Sequence, residues 1–449
     1  MNPISFNGKI KGFYPVRLWR ALLSLLFFTF YFVLSSCSPT ESVFKDQKIT
    51  LEADEGVTEV WLTLSAEPVK ANAVYTVKRD TSLIFKGRLN KSDTLLYDSG
   101  LKPNGTYKYT AYAELNGQRS PDINAEIITM DTTSHDFSWT TYEFGGQGGS
   151  SAFYDVDIID ENDIWAVGEI YTKDTYTYDS LGNWIDPYNA AHWDGEKWEL
   201  KRIYWNYQHN TSWSPIYSIF SFNSDDIWFG IGSLIHWDGK TFKSYKVPES
   251  IFPSKTNKMW GTSSSDLYIV GNSGLIAHYG GHSWTKIASG TDLPIQDIWG
   301  SKNERTGEYE ILCVASNIGY DYGKKLLRIE GNAAREINSE GLSWSLRGLW
   351  FKTKRKYIIV GDGYYNSPDY KLKWKRTPGL PRKYKFSIDA ISFNDIITCG
   401  SYGLLSHYNG YSWRHFDTTV ENNSIKIKNN LFVIAAEDGR KAYLIIGNR

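Results

Sequence analysis

Ile235-His236-Trp237-Asp238-Gly239-Lys240-Thr241-Phe242 decides the fold, because close relatives of this stretch recur along the chain. They are His192-Trp193-Asp194-Gly195-Glu196-Lys197-Trp198, His278-Tyr279-Gly280-Gly281-His282-Ser283-Trp284 and His407-Tyr408-Asn409-Gly410-Tyr411-Ser412-Trp413. In each copy a small or turn-forming residue and a glycine join two short aromatic runs, which predicts a tight β-hairpin with positive φ at the turn. His236 follows His192 by 44 residues and His278 follows His236 by 42, a period of repeated small sheets and not of helical solenoids.

Working outward, each hairpin is preceded by two further strands. The innermost ends in an apolar pair such as Ile219-Phe220, Met259-Trp260, Ile298-Trp299 or Ala390-Ile391. The second is a near-continuous apolar run, as in Asp226-Ile227-Trp228-Phe229-Gly230 and Asp395-Ile396-Ile397-Thr398-Cys399-Gly400, the pattern of a strand covered on both faces. Six complete four-strand repeats begin near Phe153, Pro215, Lys255, Pro294, Trp344 and Phe386, and a three-strand remainder runs from Ser424 to Arg449. Ser138-Trp139-Thr140-Thr141-Tyr142-Glu143-Phe144 reads as a free-standing outer strand able to complete the last sheet, which would close a ring and remove its open edges.

Composition agrees. The 449 residues are 16% aromatic, and 38 glycines outnumber 14 prolines, a balance suited to short aromatic strands joined by glycine turns. At the N-terminus Lys9, Lys11, Arg17 and Arg20 precede the apolar run Ala21 to Leu34 and then Ser35-Ser36-Cys37. The run falls short of the roughly 20 apolar residues a membrane span needs, and Leu34-Ser35-Ser36-Cys37 resembles the lipobox of bacterial lipoproteins. That resemblance implies a signal peptide over residues 1–36, a lipidated tether over 37–47, acylation of Cys37 as the membrane attachment, and an outer-membrane or cell-surface location. Without residues 1–36 the chain keeps 45 Lys+Arg against 50 Asp+Glu, a net charge near −5, and a nucleic-acid partner, which calls for a basic face, is not expected. Cys313 and Cys399 lie in apolar strands two repeats apart and read as buried free thiols.

Residues 48–130 carry alternating strands, with Trp61, Leu101-Lys102-Pro103 and Tyr107 at positions that resemble a fibronectin type III domain, Tyr107 being its tyrosine corner. The resemblance implies a sandwich that acts chiefly as a spacer, followed by a short polar linker, Asp131 to Asp136. Residues 137–449 resemble a β-propeller of the WD40/YVTN/BNR-like or photosystem II assembly factor-like class. The expected architecture is therefore all-β, a fibronectin type III sandwich followed by a propeller of about seven four-stranded blades closed by an N-terminal strand.

In a four-stranded blade the second-to-third and fourth-to-first connections share one face, and the long insertions fall there. They carry Tyr171, Tyr176, Tyr178, Trp184 and Tyr188, then Trp205 and Tyr207, then Tyr320, Tyr364 and Tyr365, side chains suited to stacking on a glycan, peptide or protein partner. The competing use for these rings is packing on one another to hold their own loops. Asp155, Lys258, Asp297, Arg347 and Asp389 fall where inner strands would line a central channel. The recurrent His192, His236, His278 and His407 belong to different repeats, too far apart for one metal ion, and read as a repeated structural hydrogen bond. No catalytic residues, metal or cofactor are assigned. The expected function is a lipid-anchored, monomeric surface protein that binds a glycan or protein, the alternatives being a carbohydrate-active hydrolase or lyase using the channel carboxylates and an assembly factor for a membrane complex.

Overall fold

The computed structural model describes residues 42–207, 209–318 and 323–449, and the backbone but not the side chain of Tyr207. The expected signal peptide, Cys37 and Tyr320 lie outside the described residues. Among the described residues every regular element is a strand.

Seven four-stranded antiparallel sheets follow from the repeats. Their inner strands are Ala152–Asp160, Ser218–Asn223, Thr256–Ser263, Ile295–Lys302, Leu346–Lys352, Lys385–Ser392 and Glu421–Lys428. Each inner strand lies against that of the next sheet, and Glu421–Lys428 lies against Ala152–Asp160, so the sheets form a ring. In the seventh sheet Lys441–Asn448 pairs with Ser138–Gly145, Tyr443 standing opposite Glu143 and Gly447 opposite Trp139. The hairpin glycines take the positive φ the sequence calls for: 94° at Gly195, 83° at Gly239 and Gly281, and 93° at Gly410. Between neighbouring sheets the apolar second strands make the core, as where Val167, Ile219, Phe229 and Ile235 meet with almost no exposure.

Ahead of the ring, Lys48–Glu55, Glu59–Glu67 and Asp93–Ser99 form one sheet. Val74–Arg79 pairs with Ser82–Gly87 and with Thr106–Leu115, which also carries Gln118–Arg119 and Ile123–Ile128, to give the second. Their facing sides enclose Val60, Leu62, Leu64, Tyr75, Val77, Tyr109 and Ala111. The Tyr107 hydroxyl accepts the Lys102 N–H at 2.8 Å.

This sandwich is docked to the ring. Trp61 points away from the sandwich core and packs on Phe393 at a ring distance of 4.9 Å, in a cluster with Val57, Trp350, Ile358 and Ile396. Lys356 pairs with Glu59 at 2.7 Å, Arg305 with Glu52 at 2.7 Å, and Arg355 with Asp54. The polar linker is also held. Asn394 donates to the Asp131 carbonyl at 2.9 Å, Arg414 pairs with Asp136 at 2.8 Å, and His135 Nδ1 meets His407 Nδ1 at 2.8 Å. Sequence reading gave this stretch only as a short polar linker, because its residues carry no strand pattern. Its partners are side chains of the sixth sheet, Asn394 in a turn and His407 and Arg414 in strands, which no local pattern signals.

The linker has a pH dependence of definite sign. Burial first, then the neighbouring His407 and Arg414, lower the pKa of His135 from 6.5 to about 4. Above pH 6.5 the ring is neutral whether the chain is folded or not. As pH falls from 6.5 towards 4 the unfolded chain takes the proton first, and stability is lost across that window. After allowance for solvent screening the expected loss is about 1 kcal/mol between pH 7.5 and 5. Urea midpoints of the parent and of His135→Gln at both pH values measure it, the variant showing the smaller drop.

Candidate functional site

The inner strands share a local irregularity that builds the site. Six of them shift register near their start, at Phe153/Asp155, Thr256/Lys258, Ile295/Asp297, Leu346/Gly348, Lys385/Ser387 and Asn422/Ser424. The residues skipped are Tyr154, Asn257, Gln296, Arg347, Phe386 and Asn423. In the second sheet Tyr217 holds the same place, its N–H donating to Gly230. A bulge turns a side chain out of the pleat, and all seven line a funnel of about 670 Å³ at the centre of the ring. The funnel opens on the face of the long insertions. The sandwich occupies the other face, at the turns around Arg305, Arg355, Asn394 and Gly410.

Each bulged side chain has a definite setting. Tyr154 and Tyr217 stack with centroids 5.4 Å apart, and Lys255 Nζ lies 4.3 Å from the Tyr217 centroid. The Arg347 guanidinium lies 4.9 Å from the Phe386 ring centroid. Asn257 donates to the Ile295 carbonyl at 3.0 Å, Gln296 to that of Ser316 at 2.8 Å and Asn423 to that of Phe153 at 2.9 Å. The Asn257 and Asn423 donors thus join neighbouring sheets, that of Gln296 stays within its own, and the three amide oxygens accept from no donor among the described residues.

The predicted channel acids, Asp155 and Asp297 of the funnel lining among them, serve the ring itself. Asp155 accepts the Ile219 N–H at 3.1 Å and the Ser424 hydroxyl at 2.6 Å, and pairs with Lys258 at 2.7 Å. Asp157 accepts the Ser221 N–H at 2.7 Å, Asp297 that of Leu349 at 2.9 Å and Asp389 that of Ile427 at 3.0 Å. In every case the acceptor lies on one inner strand and the N–H on the next, so these carboxylates stitch neighbouring sheets. Burial raises the pKa of Asp297 to about 6 and shifts that of Asp389 upward, with Lys258 and Lys426 opposing the first and Lys426 the second. Lys426 is the reverse case: burial disfavours its charge, but Asp389, Asp157, Asp155 and Asp297 outweigh that and its pKa rises. Sequence alignment of the repeats set Asp389 level with Asp155. The register places Ser387 there, and Asp389 level with Asp157, because the bulge sits between the strand start and the apolar pair.

The predicted aromatic face divides. Thr177–Tyr178 and Trp184–Ile185 pair as a small projecting hairpin. On it Tyr176, Tyr178, Leu181 and Trp184 are 58%, 66%, 85% and 43% exposed, the most open apolar group on the funnel face. These rings also pack on one another: Tyr171 on Tyr176 at 5.6 Å, Tyr176 on Trp184 at 4.9 Å and Tyr178 on Trp184 at 5.2 Å. Glu169 joins hairpin and funnel, accepting the Tyr154 hydroxyl at 2.9 Å and lying 3.5 Å from that of Tyr171. Tyr188 begins a strand, its ring under Arg202 at 3.7 Å. Trp205 and Tyr207 lie in a short hairpin with Asn210–Ser212. Tyr364 and Tyr365 are a correction: with Gly363 reaching φ 132° the turn is tight, Gly363–Ser367 is a third strand, and both rings are 3–4% exposed core.

The four recurrent histidines do what their spacing suggested. His192, His236, His278 and His407 bond Asp163, Asp226, Asp266 and Asp395 of the adjoining strand at 2.9, 2.8, 2.7 and 2.9 Å. The first three also stack on Trp165, Trp228 and Tyr268 at 4.2, 4.4 and 4.2 Å. Sequence reasoning missed Tyr154, Tyr217 and Phe386. The signal available was their place directly before the polar residue of each inner strand.

Ring, funnel and insertion face define a β-propeller fold. The chain matches no family model and no curated protein sequence. Among solved structures it is similar to YCF48 bound to a D1 peptide, with a TM-score of 0.51 and 15% identity over 71% of this chain and 100% of that one. It is also similar to the WD40 β-propeller domain of Doa1, at 0.52 and 12% over 70% of this chain and 98% of that one. At such identities the likeness establishes the fold.

Proposed function

We propose that this chain is a binding protein that holds a segment of a partner protein on its insertion face, in the funnel and against the Tyr176–Trp184 hairpin. The observation that carries the reading is the ring of bulged residues, which turns seven side chains into one cavity on the face the sandwich leaves open. The fold shared with YCF48, itself solved with a D1 peptide, supports a protein occupant. The finer architecture belongs to the same proposal: a fibronectin type III sandwich over 48–130 braced against a seven-bladed propeller over 137–449, with 138–145 as the closing strand. So does a lipoprotein signal peptide over 1–36, with Cys37 as lipid anchor and an outer-membrane or surface location. An assembly role for a membrane complex fits the same geometry, whereas the channel carboxylates, bound to backbone N–H groups, are poorly placed for hydrolysis.

Photo-crosslinking residues placed at Tyr178 and Phe386, with Tyr309 on the opposite face as control, test this in the native membrane. A discrete adduct from the first two positions only is expected, and the one from Phe386 should fall at least tenfold on Tyr178→Ala with Trp184→Ala. Equal adducts from both faces would contradict the reading, and retention on a glycan array lost in Trp184→Ala would replace the protein partner by a sugar.

A further inference from the structure

We infer that Arg347 in the funnel wall, with Lys255 at the mouth, makes the funnel an anion-holding cavity, so that what the funnel receives carries a carboxylate or a phosphate. This rests on the funnel being the binding site. Arg347 is a bulged residue, turned inward with its guanidinium over Phe386. Lys255 stands at the mouth over Tyr217. Among the described residues neither makes an ion pair, and the Arg347 guanidinium donates no hydrogen bond. The other cations of the channel are matched: Lys258 is held by Asp155, and Lys426 sits among four carboxylates.

A half-buried cation without a counter-ion is costly in a folded protein, and that cost is recovered when a ligand brings the missing charge. Burial acts alone on Arg347 and lowers its pKa, with no carboxylate to oppose it. The charges that act on Asp297 are those of Lys258 and Lys426, so the channel acids do not serve as partners for Arg347. A planar guanidinium backed by an aromatic ring suits a two-oxygen contact with a carboxylate or phosphate. The open amide oxygens of Gln296 and Asn423 lie on the same wall and suit an N–H or hydroxyl beside that anion.

Calorimetric titration of the full-length chain with inorganic phosphate and, separately, with N-acetylglutamate at constant chloride tests this without knowledge of the partner. Saturable binding of at least one probe is expected, and which one binds distinguishes phosphate from carboxylate. Affinity should fall tenfold or more in Arg347→Gln, severalfold in Lys255→Gln, largely recover in Arg347→Lys, and be unchanged in Lys302→Gln outside the funnel. Unfolding midpoints of the variants control for misfolding, and Lys255→Gln, at the open mouth, keeps the test alive should Arg347→Gln fail to fold. No saturable binding of either probe, or equal binding by parent and Arg347→Gln, would overturn the inference. Anion binding without any crosslinked partner would remove the protein-partner reading and leave this site standing, and the converse result would do the opposite.

Discussion

Asp155→Ala is expected to cost about 3 kcal/mol of folding stability, the lower end of what breaking one side of a buried ion pair costs, because the Lys258 side chain is 20% exposed. Asp155 is 1% exposed and joins three inner strands: its own, that of Ile219 and that of Ser424, with Lys258 reaching in from a fourth. Removing it leaves an ammonium, a hydroxyl and a backbone N–H unpaired at the axis of the ring. The double variant Asp155→Leu, Lys258→Met should lose less than Asp155→Ala alone, since it strands no charge. Urea unfolding of the three proteins measures this. A single-variant loss below about 1 kcal/mol would show that the axial stitches contribute little.

The second large effect belongs to Trp61. Trp61→Ala should cost about 3–5 kcal/mol, the range for truncating a fully buried aromatic side chain. Its indole N–H has no partner among the described residues, so the loss is one of packing against Phe393, Val57 and Trp350. The expected consequence is local. The sandwich should unfold in a separate, earlier transition, and the segment Asp131 to Asp136 should become the first site of proteolysis. A single transition with unchanged cleavage would mean that the ion pairs at Glu59, Glu52 and Asp54 suffice to hold the sandwich.

The all-β fold was legible because each hairpin carries its own signals: Gly239 and its equivalents at the turn, Ile227-Trp228-Phe229 as a strand covered on both sides. Those are local properties of the chain. What was not legible depends on contacts between repeats. The bulge that aims Tyr154, Arg347 and Phe386 into the funnel is a register shift, and a sequence without its partner strand does not display one. Tyr364 and Tyr365 looked like a loop because Gly361, Asp362 and Gly363 precede them, yet one glycine sufficed for the turn and the rings went inward. Asp155, Asp297 and Asp389 were visible as inner-strand acids, but their use is set by the N–H groups of the next sheet. The hairpin of Tyr176, Tyr178 and Trp184 was found by composition, and its rings both face solvent and pack on one another, so neither of the two uses weighed for them excludes the other.

The account depends on the ring being closed by residues some 300 positions from its C-terminal strand. Cysteines placed at Glu143 and Tyr443, which stand directly opposite each other, test that most directly under mild oxidation. The account predicts an intramolecular disulfide in near-full yield, released only by reductant and raising the unfolding midpoint. Two free thiols, or disulfides only between molecules, would contradict closure and with it the common face on which the funnel and the aromatic hairpin meet.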